Sequence, residues 1–173
     1  GVHLGVNADH LLAAGDSAGG QMSVALALTL LDLGLPQLSG LLLIYPVLGS
    51  NIDTPSYQRN ADAPCLTRTD MIYFLRSFLG PEGSPAWRDE KAVPLMASTL
   101  EGLPPAFITV AAHDPLHDDG VMFHERLLAA GITSELRREP ALAHSYLRAR
   151  HHSAPAMDSF KAIVESLKKF SSL

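Results

Sequence analysis

The sequence predicts a three-layer α/β sandwich, a parallel sheet with helices on both faces. Strand-like apolar runs alternate with segments of helical periodicity along the whole chain, the order expected of a parallel sheet joined by helical crossovers. The run at residues 41–45 is continuously apolar and the run at 106–110 nearly so, which is how a strand covered on both faces reads. Glycine and proline punctuate the joints between these segments.

Residues 11–14, Leu-Leu-Ala-Ala, form the first predicted strand. A helix follows over residues 21–33. It is apolar nearly all round, the mark of a buried helix, and Gly34 and Pro36 end it. The second strand is 41–45, stopped by Pro46. Residues 49–66 read as loop, being rich in Gly, Asn, Asp, Pro and Ser. Thr67 with Asp70 three residues on resembles a capping box, and Met71, Phe74, Leu75 and Phe78 then share one helical face. Gly80-Pro81 stops that helix, and 80–94 is loop again. After Pro104-Pro105 comes the third strand, 106–110. Asp118 and Asp119 favour a helix start through the macrodipole, and Gly131 closes it. Residues 134–138 are a fourth, more polar strand suited to a sheet edge. The last helix spans 155–170, with an apolar stripe at Met157, Phe160, Ile163, Val164 and Leu167.

The bulk composition bounds the function. The chain has 173 residues, 47% hydrophobic, with a formal net charge of −5. That supports one domain with a buried core. No basic cluster occurs, which argues against nucleic acid as a partner. No apolar run is long enough to span a bilayer, and no signal-peptide pattern is visible. Cys65 is the only cysteine, so no intrachain disulfide forms, as suits a cytoplasmic protein. Cys65 reads as a plain small loop residue. Residue 1 is Gly rather than Met, and the first strong strand already leads into the main motif, so the sequence reads like the middle of a protein.

That motif is Gly15-Asp16-Ser17-Ala18-Gly19-Gly20. It fits the nucleophile-elbow pattern G-x-S-x-G, with a strand before it and a helix after it. A sharp turn there lifts the serine oxygen above the sheet. Glycines at 15 and 19 suit a turn that brings two backbones close. A serine hydroxyl is a weak nucleophile at neutral pH and needs a base, itself oriented by a third group. In the α/β-hydrolase order the acid follows the serine and the histidine comes last. Asp114, in His113-Asp114-Pro115-Leu116, follows the third strand, and His144, in Ala143-His144-Ser145-Tyr146, follows the fourth.

Plainer readings compete with these. Asp114 could cap the helix after it, but Asp118 and Asp119 serve that end better. Asp16 is turned away by the elbow and receives no chemistry. His3 and His10 precede the motif, and His124 lies within a helix. His113 and His117 flank Asp114 without metal-ligand spacing, and adjacent His151 and His152 read as a solvated helix start. The Met71–Phe78 stripe is packing on the simplest view, or the lining of an acyl pocket.

GDSAGG, YPVL, the DPL-x-D-D-G spacing and AHSY together resemble the hormone-sensitive-lipase family of α/β-hydrolases, which includes many bacterial carboxylesterases. The stretch Glu101-Gly102-Leu103-Pro104-Pro105 fits as well, and the acid and histidine lie 30 residues apart. The resemblance implies a partial catalytic domain over residues 1–173, the second half (strands five to eight) of the α/β-hydrolase fold. It implies Ser17 as nucleophile, Asp114 as triad acid and His144 as base, with the Ala18 amide in the oxyanion hole and no cofactor or metal. The implied reaction is hydrolysis of a short- or medium-chain acyl ester through an acyl-enzyme. The family often has HGF where this chain has His144-Ser145-Tyr146.

The family's upstream HGGG motif, whose amides form much of the oxyanion hole, does not occur here, nor do the N-terminal strands and cap. Losing one oxyanion donor costs about 2.7–4 kcal/mol of transition-state stabilisation, so the isolated chain is expected to be nearly inactive. Three other readings stand beside the esterase: a serine peptidase or amidase on the same fold, a non-catalytic ligand-binding relative, and a truncated inactive fragment. The expected strand at 11–14 would also leave an unpaired sheet edge. That edge calls for cover by a separate N-terminal portion, by a second copy of the chain, or by a rearranged segment 1–7.

Overall fold

The structure is a computed structural model and describes residues 10–171. Strands β1 (Leu12–Asp16), β2 (Gly40–Ile44), β3 (Ala106–His113) and β4 (Ser134–Ala143) form one sheet. They lie side by side in chain order and every pair is parallel. The main helices are α1 (Ala18–Asp32), α2 (Pro55–Arg59), α3 (Arg68–Leu79), α4 (His117–Ala129) and α5 (Ala154–Ser171).

Alternation along the strands makes the two inner layers. Leu41 and Leu43 of β2, with Ile108 and Val110 of β3, pack against Val24, Ala27 and Leu28 of α1 and Phe123 and Leu127 of α4. Leu42 and Ile44, with Phe107 and Ala111, face Ile163 and Phe170 of α5. All five residues of β2 are buried. Burying a leucine side chain fully is worth roughly 1.5–3 kcal/mol, so this strand anchors both layers. Between β2 and β3 the chain makes a long excursion carrying α2 and α3. Tyr57, Leu66, Met71, Leu75, Leu79, Val93 and Leu116 give it a small core of its own. The capping box of α3 is complete: the Asp70 amide donates to Thr67 Oγ1 (3.1 Å) and the Thr67 amide to Asp70 Oδ2 (2.9 Å).

Several boundaries differ from the sequence expectation. The first strand runs on to Asp16, and α1 starts at Ala18 rather than 21. The segment 49–66 contains α2, and 80–94 holds 3₁₀ turns at Pro85–Arg88 and Pro94–Met96. Both later strands are longer than expected, because their pairing continues through Ala111↔Glu139 and, past an irregularity, to His113↔Ala143. Helix α1 is not buried all round: Met22, which lines a groove shared with α3, and Leu26 are 67% and 45% exposed, as is the C-cap Leu33 at 66%. The buried face of α5 is Ala156, Ser159, Ile163, Ser166 and Phe170, offset from the expected stripe. Small serines face the sheet there, and Ser159 Oγ bonds Tyr146 Oη at 2.7 Å. Of the expected apolar stripe, only Ile163 is buried.

No helix among the described residues is long and apolar enough to cross a membrane.

Candidate active site

Ser17 joins β1 to α1 with φ 54° and ψ −118°. Positive φ at a residue with a side chain costs of order 1–3 kcal/mol and persists only when its surroundings impose it. Here they do. The Ser17 amide donates to Ile44 O (2.9 Å), while Ser17 O accepts from Gly20 N (3.0 Å) and Val47 N (3.2 Å). A Cβ at Gly15 would lie 2.1 Å from the Gly19 backbone, and one at Gly20 would lie 2.6 Å from Pro46 Cβ. The tight approaches therefore demand glycine at 15 and 20. Gly19 itself has open space at its Cβ position, which corrects the sequence reading of that glycine.

The register places the other two candidates. His113 pairs with Ala143, so Asp114 and His144 each stand one residue past the same rung, beside the end of β1. His144 Nε2 lies 3.0 Å from Ser17 Oγ, and His144 Nδ1 lies 2.7 Å from Asp114 Oδ2. Asp114 is wholly buried and His144 nearly so. The second Asp114 oxygen accepts from Leu116 N at 2.9 Å. A charge-assisted bond of this length in a shielded site is strong. It leaves the histidine's other nitrogen facing the serine.

Residues the sequence reading passed over support this arrangement. Asn60 Nδ2 donates to Ala112 O (3.1 Å) and Asp114 O (2.9 Å), tying the acid-bearing loop to the end of α2. Tyr45 sets its ring edgewise against His144, centroids 4.9 Å apart. Its hydroxyl donates to Asp16 Oδ2 at 3.2 Å, so Asp16 has a partner after all. Burial, and then the Asp16 charge, push the Tyr45 hydroxyl well above the usual phenol range. Behind it, Thr109 Oγ1, Tyr146 Oη and Ser159 Oγ form a buried hydrogen-bonded chain. The Tyr45–Pro46 step is readable in sequence as a strand end; the partners of its hydroxyl are not.

Ser17 and His144 open on a groove of about 770 Å³. Ala18 lines it beside Ser17. As the first residue of α1, its amide has no carbonyl one turn earlier to bond. Val47 and Gly49 form part of one wall, and α3 contributes Met71, Phe74, Leu75 and Phe78. The expected stripe thus divides: Met71 and Leu75 also pack inward, whereas Phe74 and Phe78 are exposed to the groove. Cys65 lines the same groove and is exposed.

The remaining histidines stand apart from Ser17. His113 is exposed. His117 Nδ1 pairs with Asp118 Oδ1 at 3.0 Å, and His124 Nδ1 with Ser134 Oγ at 2.8 Å. His151 and His152 lie in an exposed turn before α5, and His3 lies outside the described residues. Burial pushes the Asp118 carboxyl up, but its hydrogen bonds with His117 and Ser56 outweigh this and hold it below the usual range. Among the described residues no group of three or more His, Cys, Asp or Glu side chains could hold a metal ion.

Residues 2–148 match the model of a family described as the alpha/beta hydrolase fold. Carboxylesterase NlhH of Mycobacterium tuberculosis is 41% identical over 149 residues, spanning 83% of this chain and 46% of that protein. Ethyl acetate hydrolase of Pseudomonas putida is 31% identical over 170 residues, spanning 96% of this chain and 52% of that one. The crystal structure of a thermostable esterase from Pseudomonas putida superimposes with a TM-score of 0.93 at 32% identity, over 99% of this chain and 55% of that chain. The chain thus spans about half the length of the relatives it matches. With its motifs, its parallel sheet and these relatives in agreement, the chain belongs to the alpha/beta hydrolase fold family, on its hormone-sensitive-lipase-like branch.

Proposed function

We propose that the protein to which this chain belongs is a serine carboxylesterase acting on short- or medium-chain acyl esters. The observation that carries this reading is the 3.0 Å and 2.7 Å contact pair linking Ser17, His144 and Asp114 at the mouth of an apolar groove. The names of the relatives, carboxylesterase and ethyl acetate hydrolase, support the bond class.

Ser17 Oγ attacks the ester carbonyl while His144 Nε2 takes its proton. Asp114 accepts from His144 Nδ1–H, fixes the tautomer, and stabilises the imidazolium that forms. The Ala18 amide donates to the developing oxyanion. His144 then returns the proton to the leaving alcohol, and the acyl group stays on Ser17. Water enters, His144 again acts as base, and the carboxylic acid departs. Phe74 and Phe78 offer apolar surface for the acyl chain. We place the protein in the cytoplasm, a reading that the single cysteine of these 173 residues supports.

The test is Ser17→Ala in the full-length protein, assayed on a p-nitrophenyl acyl ester and labelled with a serine-directed phosphonate. Removing a triad nucleophile leaves only binding and oxyanion effects, so kcat falls by about 10⁴-fold or more while the fold persists. Phosphonate labelling that survives in Ser17→Ala would overturn the assignment.

A further inference from the structure

Asp119 is a buried acid that the proposed chemistry does not use. It is 1% exposed, and the macrodipole role expected of it needs no such burial. Its carboxylate leaves its own helix and crosses to the segment after β2. Oδ2 accepts from the Leu48 amide (2.9 Å) and the Gly49 amide (2.8 Å).

That segment is the link between Asp119 and the groove. Val47 and Gly49 line the groove, and the Val47 amide is bonded to Ser17 O at 3.2 Å. Leu48 O accepts from Leu95 N at 2.9 Å, so the segment is held from the far side too. A Cβ at Gly49 would lie 3.0 Å from Leu95 Cδ1 and 3.3 Å from Asp119 Oδ1. The backbone is therefore clamped closely against the carboxylate. Removing the acceptor would strand two amides, one of them buried, and a buried donor left without an acceptor is costly. The segment would move to resatisfy them, and the wall of the groove would move with it.

We infer that Asp119 is a positioning residue that holds residues 47–49 in place as a wall of the substrate groove beside Ser17. This rests on the esterase reading for its consequence in catalysis, but not for the clamp itself. Burial above all, with a smaller push from Asp114 and Asp118, outweighs the downward pull of the Leu48 and Gly49 amides and raises the carboxyl to about 7. On α2 the buried Tyr57 hydroxyl, which has no hydrogen-bond partner among the described residues, is itself pushed up by burial and then by the Asp119 charge. The clamp thus changes charge near neutrality.

Measurements on the full-length protein test this. In ¹⁵N-labelled wild type, the Leu48 and Gly49 amide resonances should shift together between pH 5.5 and 8.5 with a midpoint near 7. In Asp119→Asn, which keeps an accepting oxygen and the side-chain shape, that titration should vanish. Kinetically, Asp119→Ala, which removes the acceptor, should raise KM for p-nitrophenyl butyrate about fivefold or more, with kcat changed less than about twofold, and Asp119→Asn should recover most of that loss. A lowered melting temperature with wild-type KM would overturn the inference and leave a structural role only. So would Leu48 and Gly49 amides that exchange equally fast in wild type and in Asp119→Ala. If Asp119→Ala does not fold, wild-type hydrogen exchange decides: Leu48 and Gly49 amides that exchange as fast as those of an unstructured loop overturn the clamp. If wild type hydrolyses no ester, the esterase reading fails separately, and the amide comparison still decides for or against the clamp.

Discussion

Two of the described serines adopt positive φ, Ser17 and Ser145. Ser17 spends its strain on presenting Oγ to His144, held there by bonds to Ile44, Gly20 and Val47. Ser145, next to His144, sits at φ 60°, ψ 20° and makes no side-chain cap bond. The left-handed region costs a residue with a Cβ roughly 1–2 kcal/mol relative to glycine, partly offset because glycine is freer when unfolded. The glycine of the related HGF pattern is therefore the residue this backbone suits. Ser145→Gly should raise the stability of the full-length protein by up to about 1 kcal/mol, or roughly 2–4 °C in Tm, and because Ser145 also lines the groove its ester hydrolysis is read alongside. A thermal melt beside an ester assay checks this; a lower Tm would mean that the Ser145 side chain has a partner in the complete protein. Ser17, Asp114 and His144 were legible because each follows a strand in a short motif. Asp119, Asn60 and the Asp16–Tyr45 pair were not, because their partners lie far away in sequence: 70 residues separate Asp119 from Gly49. Periodicity carries no information on such pairs.

At the scale of elements, the legible parts were those dictated locally. Strand β2 shows in its unbroken apolar run, and α3 in its Thr67–Asp70 box. Helix α2 was read as loop because its five residues are held by tertiary bonds, such as Ser56 N to Asp118 Oδ2 at 2.8 Å. The ends of β3 and β4 were cut short because the partner strand, not propensity, carries them on to His113↔Ala143. Helix α5 was assigned the wrong inner face because Ser159 and Ser166 are buried where larger apolar residues were expected. Helix α3 divides its labour visibly. Met71, Leu75 and Leu79 hold it down, while Phe74 and Phe78 are left to the groove. We expect Phe74→Ala with Phe78→Ala to leave the fold intact, since neither ring belongs to the core. KM for a butyryl or hexanoyl ester should rise about ten-fold in the full-length double variant, with much less change for acetyl. Each methylene removed from apolar contact is worth about 0.8 kcal/mol, so the effect should grow with chain length. An equal effect on all three esters would remove these rings from the acyl site.

The whole molecule has one side that its own described residues do not cover. Strand β1 ends the sheet order, and Ala14 and Asp16 on it are exposed. Next to it, Leu26 of α1 and its C-cap Leu33 are exposed, and Leu11 precedes the strand with 47% exposure. An unpaired parallel edge beside an apolar helix face is a template for association. The segment 1–7, one of the covers that the sequence reading considered, lies outside the described residues. We propose that in the full-length protein this side packs against a further portion of the chain, since the relatives are about twice as long. On the proposed mechanism the same portion would bring the remaining oxyanion donors, because the Ala18 amide would supply only one. Purified alone, the 173-residue chain should run as a dimer or larger species on light scattering. Its ester hydrolysis should fall at least about 10²-fold below the full-length protein, the cost of one absent oxyanion donor. A lysine at Leu26, on the uncovered face, should shift the isolated chain toward monomer without restoring activity. A monomer with full esterase activity would show instead that this edge needs no cover and that the oxyanion site is complete within these residues.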